Sequence, residues 1–189
     1  MGMFSWPEAK LTAKGRHQAE LVGETLKSLG LKFDLAFTSG WIRAQESIEI
    51  VLEALDHKYI PLVKAPALNT RSYRSLGGRF KEDFRKEYGD QQVKYWDSTK
   101  FHHFPDNRPP EGETLKEGDK RAKAYYNKQI KPEVLAGKTI LILIHENPVL
   151  SIMEEIEGSD TEVPANMLNG VPVIYTLDSK GRVLERIMS

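Results

Sequence analysis

The chain alternates between short, purely apolar runs and longer stretches in which apolar residues recur at every third or fourth position. Five consecutive large apolar residues, 140–144, are typical of a strand that is buried on both faces in a parallel sheet covered by helices. Residues 33–38 predict a second strand. Residues 59–63 predict a third, which we place at the edge of the sheet because Pro61 cannot donate a ladder hydrogen bond.

Helical spacing of apolar residues fills much of the sequence between these strands. The first predicted helix begins with Thr12 as its N-cap and ends before Gly30, a residue type that favours helix termination. Near the C-terminus, residues 171–177 and 182–187 flank an Asp-Ser-Lys-Gly turn and predict a hairpin. No repeat or linker interrupts the pattern, so we expect one α/β domain over residues 1–189. The other predicted helices cover residues 41–55, 79–88, 114–131 and 148–156, and a short one ends near Trp96.

Composition and charge exclude several classes of function. Lysine plus arginine and aspartate plus glutamate number 27 each, so no net field favours nucleic acid or an anionic membrane. The absence of cysteine excludes disulfides, thiol catalysis and thiolate metal sites. No apolar stretch is long enough to cross a membrane, and residues 1–10 lack the pattern of a secretory signal. We therefore expect a cytoplasmic protein with no nucleic acid or membrane partner.

Histidine is the residue type best suited to proton transfer or anion binding near neutral pH. His145 directly follows the apolar run at 140–144, so it should lie at the carboxyl edge of the sheet, where open α/β folds bind ligands. His102 and His103 are neighbours in a segment with the composition of a loop. Because adjacent side chains rarely converge on one ion, we predict no metal site there. His17 should lie on an exposed helix face.

Residues 37–44, with the sequence FTSGWIRA, match a known family together with several other segments. These are LTAKG at 11–15, LNTRSY at 68–73, GETL at 112–115, HEN at 145–147 and GVP at 170–172. On these segments the chain resembles the cofactor-dependent phosphoglycerate mutases and bisphosphoglycerate mutases of the histidine phosphatase superfamily, over nearly its whole length. The resemblance implies a three-layer α/β sandwich with a mostly parallel central sheet, and a reaction that passes through a phosphohistidine.

The departures from the family pattern fall on its catalytic residues. The family's first strand ends in Arg-His-Gly, whose histidine attacks the phosphoryl group; no such tripeptide occurs here, and residues 4–6 align downstream of it. Thr70 stands where the family has a glutamate as general acid, and a hydroxyl cannot protonate a leaving oxygen at neutral pH. Asp97 and Ser98 replace two arginines that clamp the substrate. Glu146 replaces a glycine, and its carboxylate would repel phosphate by about 1–4 kcal/mol if it pointed inward.

A partial phosphate site remains in the sequence. It should bind a bisphosphate poorly, because each lost charge-assisted contact removes about 1.5–3 kcal/mol. Ordinary structural roles are the alternatives: Arg43 could cap or pair with the helix that it begins, His145 could be a hydrogen-bonded core histidine, and Tyr73 and Lys81 could be surface residues. The site residues we predict are His145 as the catalytic remnant, with Arg43, Arg71, Tyr73, Lys81 and Asn147 around the phosphate.

The family's first strand has no counterpart here, and in the family it lies in the middle of the sheet beside the strand that ends at His145. Its absence should leave two unpaired inner edges, which is an unfavourable arrangement. Either the flanking strands pair directly, or a strand from another chain or a rearranged terminus fills the gap. A continuous sheet built from residues 31–187 alone would argue against a strand from another chain. A truncated gene product would explain the missing strand, but not Thr70, Glu146 or Asp97.

Two hypotheses of function follow. The favoured one is a degenerate mutase homologue, a pseudoenzyme that binds a phosphoglycerate-like anion or a protein partner, as a homo-oligomer or together with an active mutase. The alternative is an active isomerase or phosphatase of glycolysis, in which His145 and Arg43 hold the phosphoryl group. The family uses 2,3-bisphosphoglycerate as its cofactor; we expect no cofactor here, because the partial site should hold it weakly.

Overall fold

The structure is a computed structural model that describes residues 2–97, 107–158 and 170–188. None of the described helices is long and apolar enough to cross a membrane. The strands are β1 (Leu35–Ser39), β2 (Leu62–Ala65), β3 (Ile140–Leu143), β4 (Val173–Leu177) and β5 (Val183–Met188). The α-helices are α1 (Ala13–Ser28), α2 (Ile42–Ala54), α3 (Lys81–Tyr88), α4 (Asp90–Asp97), α5 (Leu115–Tyr125), α6 (Lys131–Leu135) and α7 (Glu146–Glu157).

Side-chain capping defines the start of two helices. Thr12 is the N-cap of α1, as predicted, and its Oγ1 accepts the backbone N–H of Gly15 at 3.1 Å. At the start of α5, Thr114 and Glu117 form a reciprocal capping box, in which each side chain accepts a backbone N–H of the other residue. These local signals explain why both helices begin where the sequence predicts.

The long helix predicted over residues 114–131 is divided into three parts. After α5 the chain makes a π-helical turn (Tyr126–Ile130), and α6 continues from it. Pro132 lies in the first turn of α6 and has no backbone N–H to donate to the preceding turn. The missing donor accounts for the widened turn ahead of the proline.

The central sheet has three parallel strands in the order β2-β1-β3. β2 is an edge strand, as predicted, but it begins at Leu62, later than the predicted 59–63, because the Ile60 N–H donates to the His57 carbonyl in a preceding turn. Helices α1 and α2 pack on one face of the sheet, and α7 with the π-helical turn packs on the other. The predicted three-layer α/β architecture with a parallel sheet is confirmed.

β3 is less buried than its sequence predicts. Only Leu141 is buried, whereas Ile140, Ile142 and Leu143 are half-buried, so the prediction of a strand buried on both faces was wrong. The reason is pairing: within the described part of the chain, β3 pairs with β1 alone, and β4 pairs with β5 alone. The strands that flank the predicted gap therefore do not close onto each other, and the sheet is not continuous.

The predicted hairpin of β4 and β5 is anchored to both helical layers. Tyr175 donates a hydrogen bond to Glu157 at the end of α7. Arg186 Nη1 donates to both oxygens of the Glu157 carboxylate, at 3.1 Å each. Gly170, which precedes the hairpin, lies against α1, and Gly181 in its turn lies against α6. The hairpin thus contacts helices of both layers, and within the described residues it does not pair with the three-stranded sheet.

Residues 2–6 pack against the irregular middle of the chain. Phe4 is 1% exposed, and its ring lies 4.9 Å from the ring of Tyr73 and 5.7 Å from that of Phe84. Met3 and Phe4 form isolated backbone bridges, and no strand precedes β1 among the described residues. This segment therefore belongs to a separate aromatic core beside the sheet.

Candidate functional site

The carboxyl ends of β1 and β3 bring Ser39 and His145 together. Ser39 is the fully buried last residue of β1, and His145 is the N-cap residue of α7. Ser39 Oγ lies 2.8 Å from His145 Nε2. The Trp41 backbone N–H donates to the same Oγ at 3.2 Å, which leaves Oγ one proton and one lone pair, so the direction of its bond with Nε2 follows the tautomer of His145. Ser39 was not among the predicted site residues; its place directly after the strand predicted over residues 33–38 puts it at the sheet edge but does not identify its partner.

The imidazole of His145 is neutral at physiological pH. Burial, and secondarily the charge of Arg43, lowers the pKa of His145 from 6.5 to about 3. The Trp41 ring covers it edge-on, with 5.3 Å between the ring centroids. A neutral ring brings no positive charge to a phosphate, and its Nε2 is already hydrogen-bonded to Ser39. The geometry therefore favours the alternative of a hydrogen-bonded core histidine.

Arg43 binds the N-terminal segment. Its Nη2 donates to Ser5 Oγ at 2.7 Å, and its Nη1 donates to the Trp6 carbonyl at 3.0 Å. The guanidinium carbon lies 4.5 Å from the centroid of the Trp41 ring, a cation–π contact. Burial lowers the pKa of Arg43 to about 10, so the group stays charged at neutral pH. Arg43 is close to His145, as predicted, but these contacts direct its donors at protein oxygens.

Arg71 and Tyr73 form an internal brace. Arg71 is 2% exposed, and its Nη1 donates to the carbonyl and side-chain oxygens of Asn107 at 3.2 and 2.7 Å. Its Nη2 donates to the Tyr73 hydroxyl at 2.6 Å and to the Trp96 carbonyl. Burial raises the pKa of the Tyr73 phenol. The sequence predicted both residues around one phosphate. They do lie together, but both are buried, and their polar groups bond to each other and to the surrounding loop instead of facing a ligand.

Lys81 is paired with one of the residues that depart from the family pattern. Its Nζ lies 2.6 Å from Asp97 Oδ2, and both side chains are partly buried. Asp97 stands where the family has an arginine, so one replacement removes a cation and also neutralises a second one. A carboxylate at this distance competes directly with any anion for Lys81.

The remaining predicted residues lie around the same edge of the sheet. Thr70 is half-buried, next to Asn69, whose Oδ1 accepts the Gly40 N–H at 2.7 Å. Asn147 is half-buried in the first turn of α7. Glu146, the first residue of that helix, is exposed, so its carboxylate does not point into the site. A negative charge in the first turn of a helix interacts favourably with the helix dipole, so Glu146 should stabilise α7 instead.

A cleft of about 400 Å³ opens beside this cluster. Among the described residues it is lined by residues 5–8, Trp41, residues 72–75, Gly77 and Glu111. Glu8 and Glu111 are exposed, and Arg74 is the one cation in this lining. Tyr73 is the only predicted site residue that lines it, because Trp41 separates the cleft from the Ser39–His145 pair. Two carboxylates against one guanidinium make this cleft unfavourable for a bisphosphate.

No described residues form a metal centre. Within residues 2–97, 107–158 and 170–188, no three acidic or histidine side chains come close enough to hold an ion. His102 and His103 lie outside the described residues, so the expectation that they bind no metal stays a prediction. His17 lies on the exposed face of α1, as expected.

Comparison with known proteins gives a consistent family. A family model of the histidine phosphatase superfamily (branch 1) matches residues 2–187. The chain is 36% identical over 180 residues to the 2,3-bisphosphoglycerate-dependent phosphoglycerate mutase of Bartonella henselae, covering 94% of this chain and 85% of that protein. It is 37% identical over 183 residues to the phosphoglycerate mutase of Schizosaccharomyces pombe, covering 96% of this chain and 84% of that protein. The solved structure of YhfR from Bacillus stearothermophilus superposes with a TM-score of 0.76 at 22% identity, over 96% of this chain and 85% of that one.

These comparisons confirm the resemblance drawn from the sequence. The structural likeness at 22% identity supports the fold alone, whereas the identities to the two mutases extend over most of each protein. The chain therefore belongs to the phosphoglycerate mutase family of the histidine phosphatase superfamily.

Proposed function

We propose that this chain is a degenerate phosphoglycerate mutase homologue that does not catalyse the mutase reaction and acts by binding, to a small anion or to a protein partner. The observation that carries the proposal is the engagement of the predicted phosphate-binding cations by groups of the protein itself. Arg71 is braced against Asn107 and Tyr73, and Lys81 is paired with a carboxylate. Arg43 donates to the N-terminal segment.

The proton chemistry supports the same proposal. The leaving oxygen of a phosphate ester needs a proton donor, and the Thr70 hydroxyl is far too weak an acid at neutral pH. His145 is neutral, because its pKa is lowered to about 3, and its Nε2 is already hydrogen-bonded to Ser39. Neither residue can stabilise negative charge on a phosphoryl group as an acid or a cation would.

A bound 2,3-bisphosphoglycerate would have to displace these internal partners. Lys81 would have to leave Asp97, and Arg43 would have to leave Ser5. Each charge-assisted contact that is not regained costs about 1.5–3 kcal/mol. The residues present therefore do not fit this cofactor, and the absence of a cofactor remains part of the proposal.

The alternative is an active mutase or phosphatase of glycolysis. It is favoured by the identity of 36% to a relative that is itself a bisphosphoglycerate-dependent mutase, and by the retention of Arg43, His145 and Asn147. In that case the phosphoryl group would lie between Arg43 and His145. For both hypotheses we propose a cytoplasmic location, which fractionation of cells that express the protein would test.

Isothermal calorimetry with 2,3-bisphosphoglycerate and 3-phosphoglycerate tests the proposal, together with a coupled assay for 2-phosphoglycerate formation. Circular dichroism should first show that the sample is folded. We expect no turnover, and binding no tighter than the millimolar range. Micromolar binding with measurable turnover would establish the alternative.

A variant that frees one cation makes the test sharper. Asp97→Asn removes the partner of Lys81 and should increase the affinity for 3-phosphoglycerate by about tenfold, the effect of about 1.4 kcal/mol. Glu24→Gln removes one exposed negative charge on α1 and is the matched control, with no expected effect. The double variant Thr70→Glu, Glu146→Gly restores two family residues and should raise the affinity for phosphate if the site has merely decayed. Unchanged binding in that variant would mean that the pocket no longer exists. Unchanged binding in Asp97→Asn would mean that Lys81 does not face an anion site.

A further inference from the structure

The cleft of about 400 Å³ is built from separate segments of the chain that backbone hydrogen bonds hold together. The Ile42 N–H donates to the Pro7 carbonyl at 3.1 Å, which fixes one wall of the cleft. The Glu113 N–H donates to the Ser72 carbonyl at 2.9 Å, which fixes the segment that contains Glu111 against the opposite wall. The cleft is therefore formed before a ligand arrives, and this lowers the entropic cost of binding.

Two of the charged residues that line the cleft have a strained backbone. Among the described residues, three that are not glycine have a positive φ, namely Asp56, Arg74 and Glu111. Arg74, with a φ of 42°, and Glu111, with a φ of 56°, both line the cleft. Residues other than glycine avoid this region, and strain of this kind is common at ligand-binding sites. The fold thus places a guanidinium and a carboxylate at the cleft where the backbone favours glycine.

The charges of the cleft are not used by the protein itself. Within the described part of the chain, no ion pair includes the carboxylate of Glu8 or Glu111 or the guanidinium of Arg74. By contrast, Arg43 and Lys81 in the predicted phosphate site are bonded to groups of the protein. The cleft therefore offers a ligand two negative groups and one positive group.

The cleft also has an aromatic lining. The ring of Trp41 is already in contact with Arg43, whereas Trp6 is half-buried and lines the cleft. An indole ring attracts an organic cation that lies over its face, and it packs against the methylene groups that carry such a cation. This lining suits a ligand with a cationic head and an apolar stem.

We propose that the cleft binds a small zwitterion with two cationic groups and one carboxylate, which is the charge pattern of a basic amino acid such as arginine. The two cationic groups match the carboxylates of Glu8 and Glu111. The carboxylate of the ligand matches Arg74, because a guanidinium binds carboxylates through paired hydrogen bonds. The methylene stem has Trp6 to pack against.

Two simpler ligands match the cleft less well. A phosphorylated anion would face the carboxylates of Glu8 and Glu111. A polyamine would bring positive charge towards Arg74 and offer it no acceptor. Because like charges that are held close together are unfavourable, the cleft discriminates against both.

This inference goes beyond the proposed function and can fail separately from it. Trp41 separates the cleft from the Ser39–His145 pair, and the ligand is a cation where the phosphate site takes an anion. Mutase turnover would refute the proposed function whatever the cleft binds. At constant ionic strength, 3-phosphoglycerate should not displace the amino acid, and full competition between the two would overturn the assignment of a separate site.

Isothermal calorimetry on the full chain tests the proposal with three ligands of similar shape. L-Arginine is the probe, L-citrulline has a neutral urea in place of the guanidinium, and agmatine lacks the carboxylate. We expect L-arginine to bind at a single saturable site and to raise the melting temperature. The other two should bind at least about tenfold more weakly, because each lacks one charge that the cleft recognises. Added salt should weaken arginine binding, since the charges of the cleft lie near solvent.

Substitutions in the cleft locate the binding. Glu111→Gln keeps the size of the side chain and the strained backbone but removes the charge, so it should weaken arginine binding by about tenfold. Arg74→Gly removes the guanidinium and relieves the strain, so it should weaken binding without lowering the melting temperature. A variant that was merely destabilised would lose both. Glu24→Gln on α1 is the matched control, and arginine binding should be unchanged.

Three results would contradict the proposal. Arginine and citrulline could bind equally, which would mean that the carboxylates do not recognise a cation. Agmatine could bind as tightly as arginine, which would remove the role of Arg74. A wild-type protein that is folded by circular dichroism could bind no arginine, or Glu111→Gln could bind it as well as the wild type. Selective arginine binding that is weakened in Glu111→Gln and Arg74→Gly, but not in Glu24→Gln, would support the proposal.

Discussion

β1 and β3 lie side by side in the same parallel sheet, and their burial is the reverse of what their sequences suggest. β3 contains only isoleucine and leucine, yet Leu141 alone among its four residues is buried. β1 contains Thr38 and Ser39, yet all five of its residues are buried. The difference lies in their neighbours, because among the described residues β1 has a strand on each side and β3 has a strand on one side.

The comparison separates two factors in the burial of a strand: its own apolar composition, and the neighbouring strands and helices that pack against it. Apolar composition makes burial favourable, by about 25 cal/mol for each Å² removed from water, but other elements must supply the cover. The polar residues of β1 are tolerated because they bond to the segment that contains β3. Thr38 Oγ1 donates to the Leu143 carbonyl at 2.8 Å, and Ser39 is bonded to His145.

The largest expected effect comes from two leucines, one in each strand. Leu35→Ala in β1 should lower the free energy of unfolding by about 2–5 kcal/mol, because it leaves an enclosed cavity. Leu143→Ala in β3 should cost about half as much, since less of its side chain is removed from water. Urea unfolding followed by tryptophan fluorescence measures both. Equal losses would mean that the open edge of β3 is covered in solution.

The pH dependence of stability tests whether His145, which follows β3, is as well shielded from water as the end of β1. The pKa of His145 is about 3 in the folded protein and 6.5 ordinarily, so the unfolded chain binds more protons between these values. Stability is therefore fully present above pH 6.5 and falls as the pH decreases, by about 1.4 kcal/mol per unit until the folded pKa is reached. His145→Gln should remove this part of the pH dependence, as measured by urea unfolding from neutral to acidic pH.

Carboxylates titrate in both proteins, so the difference between the two stability curves isolates His145. NMR titration of the folded wild-type protein gives an independent measurement. A folded-state pKa near 6.5 for His145 would show that water reaches this end of β3, and the comparison with β1 would fail there.

The third effect concerns the hydrogen bond that joins the two strand ends. Ser39→Ala removes the hydrogen-bond partner of His145 Nε2 in a partly buried site, which should cost about 1–3 kcal/mol. The matched control is Ser47→Ala on α2, whose hydroxyl donates to a helical carbonyl within its own turn and should matter by less than about 0.5 kcal/mol. Urea unfolding measures both variants. Similar small losses for the two serines would mean that the Ser39–His145 pair contributes little.

The smallest expected effect concerns the hydrogen bonds that hold the β4–β5 hairpin against the end of α7. Glu157→Gln weakens the contacts to Tyr175 and Arg186 and should loosen the hairpin by about 0.5–1.5 kcal/mol without loosening β1. Hydrogen exchange resolved by NMR compares the amides of β4 and β5 with those of β1. Faster exchange in β1 by the same factor would show that the hairpin and the sheet unfold as one unit.

Several features of this molecule were predictable from neighbouring residues alone. Thr12 is the cap of α1, and the Asp178 side chain accepts the N–H groups of Lys180 and Arg182 inside the predicted turn. The end of the helix predicted over residues 114–131 was not predictable by periodicity, because Pro132 breaks the hydrogen-bond pattern without changing the spacing of apolar residues. Ser39 was missed because a serine in an apolar strand carries no signal of its partner.

The candidate site also divides into features that the sequence predicted and features that depend on how distant elements pack. The family motifs correctly placed Arg43 near His145 and Arg71 near Tyr73. The motifs did not reveal that Asp97 neutralises Lys81, because that contact depends on how two helices pack.

The sequence by itself determined the family, the helices with capping signals, the hairpin and the parallel character of the sheet. These depend on residue type and on short-range spacing, which are visible along the chain. Only the tertiary structure decided that β3 pairs on one side alone within the described part of the chain, that His145 is neutral and that Arg71 is an internal brace. Each of these depends on which distant groups cover or bond a residue, and such contacts form only when the elements pack together.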